Sequence, residues 1–321
     1  MKEIRLTDIE GIRIGHAEDL RAATGCTVVL TEEGAAAGVD VRGGAPGTKD
    51  TDLLRPVNLV EKIHGVVLTG GSAFGLDAAA GAMRYLEERD CGFDTDVAKV
   101  PIVCGAVLFD LAIGDPSVRP DKAMGYQACL NARDNSPSEG NVGAGTGATV
   151  GKILGMERAM KSGLGAYGLQ IGDLKIGAVV AVNCLGDVLD PATGEVLAGV
   201  LQKDRSAILN TEDIMMENIF HRKIGFTANT TLGTVVTNAS LTKSQATKVA
   251  SMAHNGYART IRPAHTMVDG DTIFTVATGK IPCDISVVGM LAARVVGQAV
   301  LRAVLMAEPL MGFKCAKDLH P

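Results

Sequence analysis

Hydrophobic and polar positions follow two different periods along the chain. GVVLTGG (65–71) is a short continuous apolar run closed by glycines, the pattern of a buried strand. It leads into FGLDAAAGAMRYLEERD, an Ala-rich stretch whose charges collect at its end, which predicts a helix. IGAVVAVNCLGDVLD (176–190) predicts two strands turning back on each other at Leu185–Gly186. TLGTVVTNASL reads as another strand, and TKSQATKVASMAHNGYART opens with Thr242 and Gln245 at capping-box spacing, so a helix starts there. DTIFTVATG is a last strand before ISVVGMLAARVVGQAVLRAVLMA. In that long apolar run Arg294, Gln298 and Arg302 recur at i, i+4 and i+8 and form one wet face. A membrane span needs about 20 mostly apolar residues in succession, so the segment is read as a long core helix.

Strand-like runs thus alternate with helices long enough to cover a sheet, which makes this a mixed α/β chain. Residues 131–152 and 114–122 are the most loop-like stretches. Residues 201–228 are polar with little periodicity and are expected to form a mobile tether ending at Asn229. With 321 residues, one large or two small domains are open. The 46% hydrophobic content supports a sizeable core, but 3% aromatic content and no Trp mean that Ala, Val, Leu, Ile and Met must build it. The net charge of −5 leaves no basic footprint and argues against a nucleic-acid partner. MKEIRLTDIEGIRIGH has no apolar h-region, so no secretory signal is expected. Seven cysteines, an odd number without a C-x-x-C pair, suggest neither a disulfide framework nor a zinc site, and a reducing cytoplasm is the expected compartment.

Candidate chemistry is sparse. GNVGAGTGATVGK contains G-x-G-x-x-A at Gly143, Gly145 and Ala148, but a polar loop precedes it where a dinucleotide site needs a strand. A Walker A loop fails because Thr146 stands where glycine is required and Ile153 follows Lys152. The loop is expected instead to offer backbone N–H groups to a site, with Lys152 at its end. In HTMVDGDTIF, Asp269 and Asp271 lie two apart before a strand and can point to one side of it. The motif alone favours a D-G turn with a solvated second Asp. No His or Cys cluster supports a metal, the six histidines lack ligand spacing, and no G-x-S-x-G surrounds Ser72. Asn229–Thr230 sits at the mouth of a strand. Both residues suit turns, yet Thr230 also reads as a latent N-terminus: a threonine freed by cleavage carries its own base, an α-amine of pKa about 7.7–8.0. Nucleophile and base would then reside in one residue without any catalytic His.

Seven segments together resemble the DmpA-like family of self-processing aminopeptidases, which includes β-peptidyl aminopeptidases and is related to nylon-oligomer hydrolases. They are GVDVRGGAPGTKDTDLL (38–54), VVLTGGSAFGLDAAAG (66–81), VPIVCGAVLFDL (100–111), NVGAGTGATVGK (141–152), AVVAVNCLGDVLDP (178–191), NTTLGTVVTNASL (229–241) and AHTMVDGDTIFTVATG (264–279). The resemblance implies a single domain over 1–321, folded as a four-layer αββα sandwich of the N-terminal-nucleophile-like type. It implies self-cleavage between Asn229 and Thr230 into an α-chain 1–229 and a β-chain 230–321 that stay associated. On the same basis Thr230 is the nucleophile and Asn183 helps hold the substrate carbonyl. Lys152 matches a lysine of the nylon-hydrolase branch, and Asp269 and Asp271 match the acidic pair of that branch. Phe109 departs from relatives that carry a Tyr near this point, so the oxyanion is expected to rely on Asn183 and backbone N–H groups. The implied activity is hydrolysis of a small peptide or amide with no cofactor or metal, by a homo-oligomer, a tetramer of cleaved pairs. Two other readings are an acyltransferase of the ornithine-acetyltransferase type and a nucleotide-binding protein using loop 141–152.

Overall fold

The computed structural model describes residues 1–132, 138–219 and 229–319. One strand organises the rest. The strands of its central layers are β1 (Lys2–Ile4), β2 (Arg13–Asp19), β3 (Thr24–Val41), β4 (Thr48–Lys49), β5 (Ile63–Thr69), β6 (Val103–Val107), β7 (Leu164–Ile171), β8 (Leu174–Asn183), β9 (Thr230–Ala239) and β10 (Thr272–Ile281). The 18-residue β3 belongs to two layers at once. Its residues 24–30 pair with β2 and β5, whereas residues 36–41 pair with β10. Its register shifts between Leu30 and Ala35, across Thr31-Glu32-Glu33-Gly34, where Gly34 takes φ +75°. Polar residues and a left-handed glycine bend a strand that would otherwise run straight through one sheet.

One layer therefore runs β1-β7-β8-β9-β10 and the end of β3; the facing layer holds β2, the start of β3, β5, β6 and β4. Pairing is parallel for β9–β10 and β5–β6 and antiparallel elsewhere in these layers. The helices are α1 (Ala78–Glu87), α2 (Lys122–Asn131), α3 (Thr211–Glu217), α4 (Lys243–Thr260) and α5 (Ile285–Leu305). Helices α4 and α5 cover the first layer, and α1 and α2 cover the second. Three apolar clusters fill the three interfaces. Val249, Ala253, Val296 and Val300 meet Val180 and Val235 under α4 and α5. Leu232, Val236 and Phe274 meet Val66 and Leu68 between the sheets. Ala82, Leu86 and Ala128 meet Val28 and Val67 under α1 and α2. The result is the expected αββα sandwich, packed largely with small aliphatic side chains. Gly38 and Gly165 let α4 and α5 lie against their strands, since a Cβ there would strike helix backbone.

Sequence patterning placed β5, β8, β9, β10, α1, α4 and α5. The α4 capping box is present in full: Thr242 Oγ1 accepts from Gln245 N–H, and Gln245 Oε1 accepts from Thr242 N–H. Such a cap stabilises a helix by about 1 kcal/mol. The α5 segment is mostly buried, with Arg294 on its exposed side. The strand pair expected over 176–190 does not form. Asp187–Leu189 joins Val196–Ala198 and Ile261–Arg262 in a separate three-stranded sheet. The Leu185–Gly186 carbonyls instead accept from Lys152 N–H and Gly151 N–H, both at 3.0 Å, and Leu185 N–H goes to Asp269 Oδ1. Long-range partners hold both sides of the turn and send the chain elsewhere. Within 201–228, α3 and its Asn210 cap were not expected; residues 220–228 of the anticipated tether lie outside the described residues.

Candidate active site

The face of β9 that looks between the two sheets carries Leu232 and Val236, and Thr230 lies two residues earlier on that same face. In β8, Val179 and Ala181 share this face, and Asn183 follows them. The antiparallel register sets Asn183 directly opposite Thr230. Two polar side chains therefore meet at one end of the inter-sheet core because each continues a period-2 pattern on its strand. Both are buried.

Asn183 is fixed at every end. Its Nδ2 donates to the Phe109 carbonyl at 3.0 Å. Its Oδ1 accepts from Thr149 N–H at 3.0 Å and from Lys152 Nζ at 2.8 Å, and Lys152 Nζ also reaches the Asn183 carbonyl at 2.9 Å. With Oδ1 occupied by donors, the amide orientation is settled, and one Nδ2–H is left over from the bond to Phe109. The Gly-rich loop behaves as anticipated in one respect: it supplies a backbone N–H, from Thr149, and ends in Lys152. The part played by Phe109 comes through its carbonyl.

Lys152 is buried, and burial brings its pKa down to about 8 against the opposing pull of Cys184, Asp269, Asp110 and Asp271. Asp269 and Asp271 are both buried, so the turn with a solvated second Asp is ruled out. Asp269 accepts from Leu185 N–H at 3.3 Å, from Thr266 N–H at 3.0 Å and from Thr266 Oγ1. Burial and then the like charge of Asp271 push its carboxyl up to about 6, against those hydrogen bonds. Asp271 accepts from Thr231 N–H at 2.7 Å through Oδ1, and from His265 N–H and Nδ1 at 3.0 and 2.8 Å through Oδ2.

The residue between the two carboxylates touches Thr230. Gly270 N–H donates to Thr230 Oγ1 at 3.1 Å and to the Asn229 carbonyl at 3.3 Å, and the Thr230 hydroxyl itself donates to that carbonyl. Asn229 N–H is held by the Val268 carbonyl at 3.0 Å. Hydroxyl, preceding carbonyl and an aimed N–H donor thus share one small volume. A Cβ at Gly270 would stand 2.6 Å from Thr230 Oγ1, so the close approach needs glycine.

All five side chains singled out from the sequence, Thr230, Asn183, Lys152, Asp269 and Asp271, belong to this one cluster. Three members escaped that reading. Asp110 is buried, accepts from Gly71 N–H and Thr24 Oγ1 at 2.7 Å each, and has its pKa raised by burial. Its available signal was a charge closing the apolar run VPIVCGAVLFDL. His265 and Gly270 lie in the same HTMVDGD segment, where neither residue type by itself points to chemistry. Among the described residues no group of His, Cys, Asp and Glu has the arrangement of a metal site.

A sequence model of peptidase family S58 matches residues 5–317. An uncharacterized aminopeptidase of Mycobacterium leprae (strain TN) is 41% identical, over 98% of this chain and 94% of its own. A 6-aminohexanoate-oligomer endohydrolase of Agromyces sp. (strain KY5R) is 31% identical, over 94% of this chain and 86% of its own. Among solved structures, the L-aminopeptidase D-Ala-esterase/amidase of Ochrobactrum anthropi, described as a variant of the Ntn hydrolase fold, superposes with a TM-score of 0.71 at 18% identity, covering 95% and 87% of the two chains. A β-aminopeptidase of Burkholderia sp. gives 0.70 at 20% identity, covering 96% and 88%. At these identities the structural likeness speaks to fold alone, and the four layers described above match the Ntn hydrolase fold.

Proposed function

The chain belongs to peptidase family S58 and is a hydrolase of peptide or amide bonds; from that premise we propose that it matures by cutting itself between Asn229 and Thr230 and then works as an N-terminal-threonine aminopeptidase. The observation that carries this reading is the contact of the Thr230 hydroxyl with the Asn229 carbonyl, with Gly270 N–H donating to both oxygens.

In maturation Thr230 Oγ attacks the Asn229 carbonyl carbon, and negative charge grows on that carbonyl oxygen. Gly270 N–H stabilises the charge, an oxyanion-hole role. The C–N bond breaks, the amine takes the proton that Oγ gave up, and an ester joins Asn229 to Thr230. Water hydrolyses the ester, leaving chains 1–229 and 230–321. In turnover the same oxygen attacks the substrate carbonyl while the new α-amine accepts its proton and passes it to the leaving amine; water then hydrolyses the acyl-enzyme ester, releasing the acid and restoring the Thr230 hydroxyl. The free Nδ2–H of Asn183 meets the substrate oxyanion, held in aim by Lys152 and Thr149 on Oδ1. Asp269 or Asp271 receives the ammonium of a small peptide or amide substrate.

We extend the proposal to a homo-oligomer of cleaved pairs in the cytoplasm. Exposed Val57, Leu59 and Val97 offer apolar surface for such contacts, and the seven cysteines are all free thiols. The decisive experiment is intact-mass analysis of the purified, active protein. Two chains with the smaller beginning at Thr230 are expected, and Thr230→Ala is expected to remain whole and inactive. An active protein that stays in one piece would overturn the reading.

A further inference from the structure

We propose that His265 is a positioning residue for the Thr230 centre and that it acts through Asp271. The inference rests on the self-processing reading above and adds a residue to it.

The loop from Ala264 to Asp271 is closed on itself by its two carboxylates. Asp269 Oδ2 accepts from Thr266 N–H, and Asp269 N–H returns to the Thr266 carbonyl at 3.2 Å. Asp271 Oδ2 accepts from both the backbone N–H and the Nδ1–H of His265. The acceptor is a carboxylate, so Nδ1 carries the proton in this bond. The other oxygen of Asp271 is spent on Thr231 N–H at 2.7 Å, the first peptide after the nucleophile. One carboxylate therefore ties the imidazole to the start of β9. At the apex of the same closed loop sits Gly270, whose N–H points at Thr230 Oγ1 and the Asn229 carbonyl.

The imidazole has little freedom to leave this position. Its ring packs edge-on against His254, with centroids 4.8 Å apart, and lies 6.2 Å from the Tyr257 ring; both partners come from α4. His254 is itself held by the Asp40 carbonyl at 3.0 Å. The backbone of His265 is also informative, because φ is +58°, a conformation a β-carbon disfavours. A histidine in that region, with ring and N–H on one carboxylate oxygen, is held there against local preference. Aim is the role that follows. Without the ring, Asp271 Oδ2 keeps a single donor, the carboxylate can swing, and Thr231 N–H and Gly270 N–H lose their common anchor.

The left-handed φ supplies a clean pair of variants. His265→Gly removes the ring at a position where glycine is at ease, and His265→Asn restores a side-chain N–H donor near the place of Nδ1 in a residue that tolerates this φ. Both are compared with wild type for the fraction cut at 229/230, for kcat and KM on a peptide amide, and for Tm. The Gly variant is expected to lose about 10- to 100-fold in cutting rate and in kcat with KM nearly unchanged, the effect of sub-ångström misplacement. The Asn variant is expected to recover most of that loss at a Tm matching the Gly variant. If the Gly protein proves too slow to mature, recovery of cutting by the Asn variant carries the result. Wild-type rates in His265→Gly, or an Asn variant as slow as Gly, would overturn the proposal while wild-type cutting left the maturation reading standing. A wild-type chain that never cuts would instead remove the reading on which both rest.

Discussion

Gly270→Ala puts the proposed centre under its narrowest test. The added Cβ would lie 2.6 Å from Thr230 Oγ1 and 2.8 Å from the Ala45 carbonyl oxygen, where ordinary contact begins near 3.4 Å. Either oxygen must then retreat by up to about 0.8 Å, or Gly270 must withdraw with its N–H. The backbone is no obstacle, since Gly270 is not among the residues with positive φ. The added methyl's crowding is therefore the whole perturbation. Withdrawing an oxyanion donor costs about 2.7–4 kcal/mol of transition-state stabilisation, or about 10²- to 10³-fold in rate. A misplacement near 1 Å costs about 10²-fold by itself. Self-cutting of the Ala variant is accordingly expected to slow by at least about 10²-fold, read as whole chain surviving on a denaturing time course while wild type is fully cut. The Tm should fall by only a few degrees, because overpacking by one methyl costs about 1–3 kcal/mol. An Ala variant that cuts at the wild-type rate would refute the role given to the Gly270 N–H.

Lys152→Met removes the cation that bonds Asn183 at 2.8 and 2.9 Å, and is expected to lower kcat by about 10²-fold or more as Nδ2 loses its aim, measured on whatever fraction matures. Asp269, with its carboxyl pushed up to about 6, is charged above that pH and neutral below it; KM for a free-amine peptide should rise as pH falls through about 6, and an N-acetylated analogue should not show the step. A flat KM across that range would remove Asp269 as the ammonium partner. Asp187 accepts from Thr211 N–H and Oγ1 at 2.7 Å each and from Val200 N–H at 3.0 Å, yet burial raises its pKa from 3.8 to about 6. The folded state thus holds this proton more tightly than the unfolded state, so the group's stabilisation is complete below 3.8 and is lost as pH rises through 6. Its size is on the order of 3 kcal/mol. Thermal melts at pH 5 and pH 7 should therefore converge in Asp187→Asn relative to wild type, and an unchanged gap would contradict this assignment.

The elements legible in the sequence were those whose signals are local. The α4 capping box needs only Thr242 and Gln245, and the wet stripe of α5 needs only three residues at helical spacing. Those that escaped depend on partners far along the chain. The turn at Leu185–Gly186 reads as a hairpin until Gly151, Lys152 and Asp269 claim its polar groups. Asp110 gains its meaning from Thr24 and Gly71, 86 and 39 positions away. Strand β3 hid because Glu32, Glu33 and Gly34 interrupt its apolar pattern at the point where it passes from one sheet to the other. In the site itself, residue types with chemistry were found and the glycine between them was not, since a backbone N–H leaves no mark on composition.

The charge balance around Thr230 bears on why cutting would go forward. Two buried lysines, Lys152 and Lys161, stand against three buried carboxyls, Asp110, Asp269 and Asp271, and the burial of Asp269 beside Asp271 already drives its pKa upward. Breaking the Asn229–Thr230 bond in the proposed reaction converts a neutral peptide nitrogen, adjacent to the Thr231 N–H that Asp271 holds, into an amine that can take a proton. A further cation then enters a site with surplus negative charge, which favours the cut form and raises the amine's pKa above that of an ordinary α-amine. The same attraction works against catalysis, because a general base must be neutral to accept the proton from Oγ. Lys152 opposes it: a positive charge in the same buried cluster lowers the pKa of a neighbouring amine. On this reasoning the lysine keeps the amine's pKa near working pH, and Lys152→Met should shift the rising limb of the kcat/KM profile to higher pH as well as lowering its plateau.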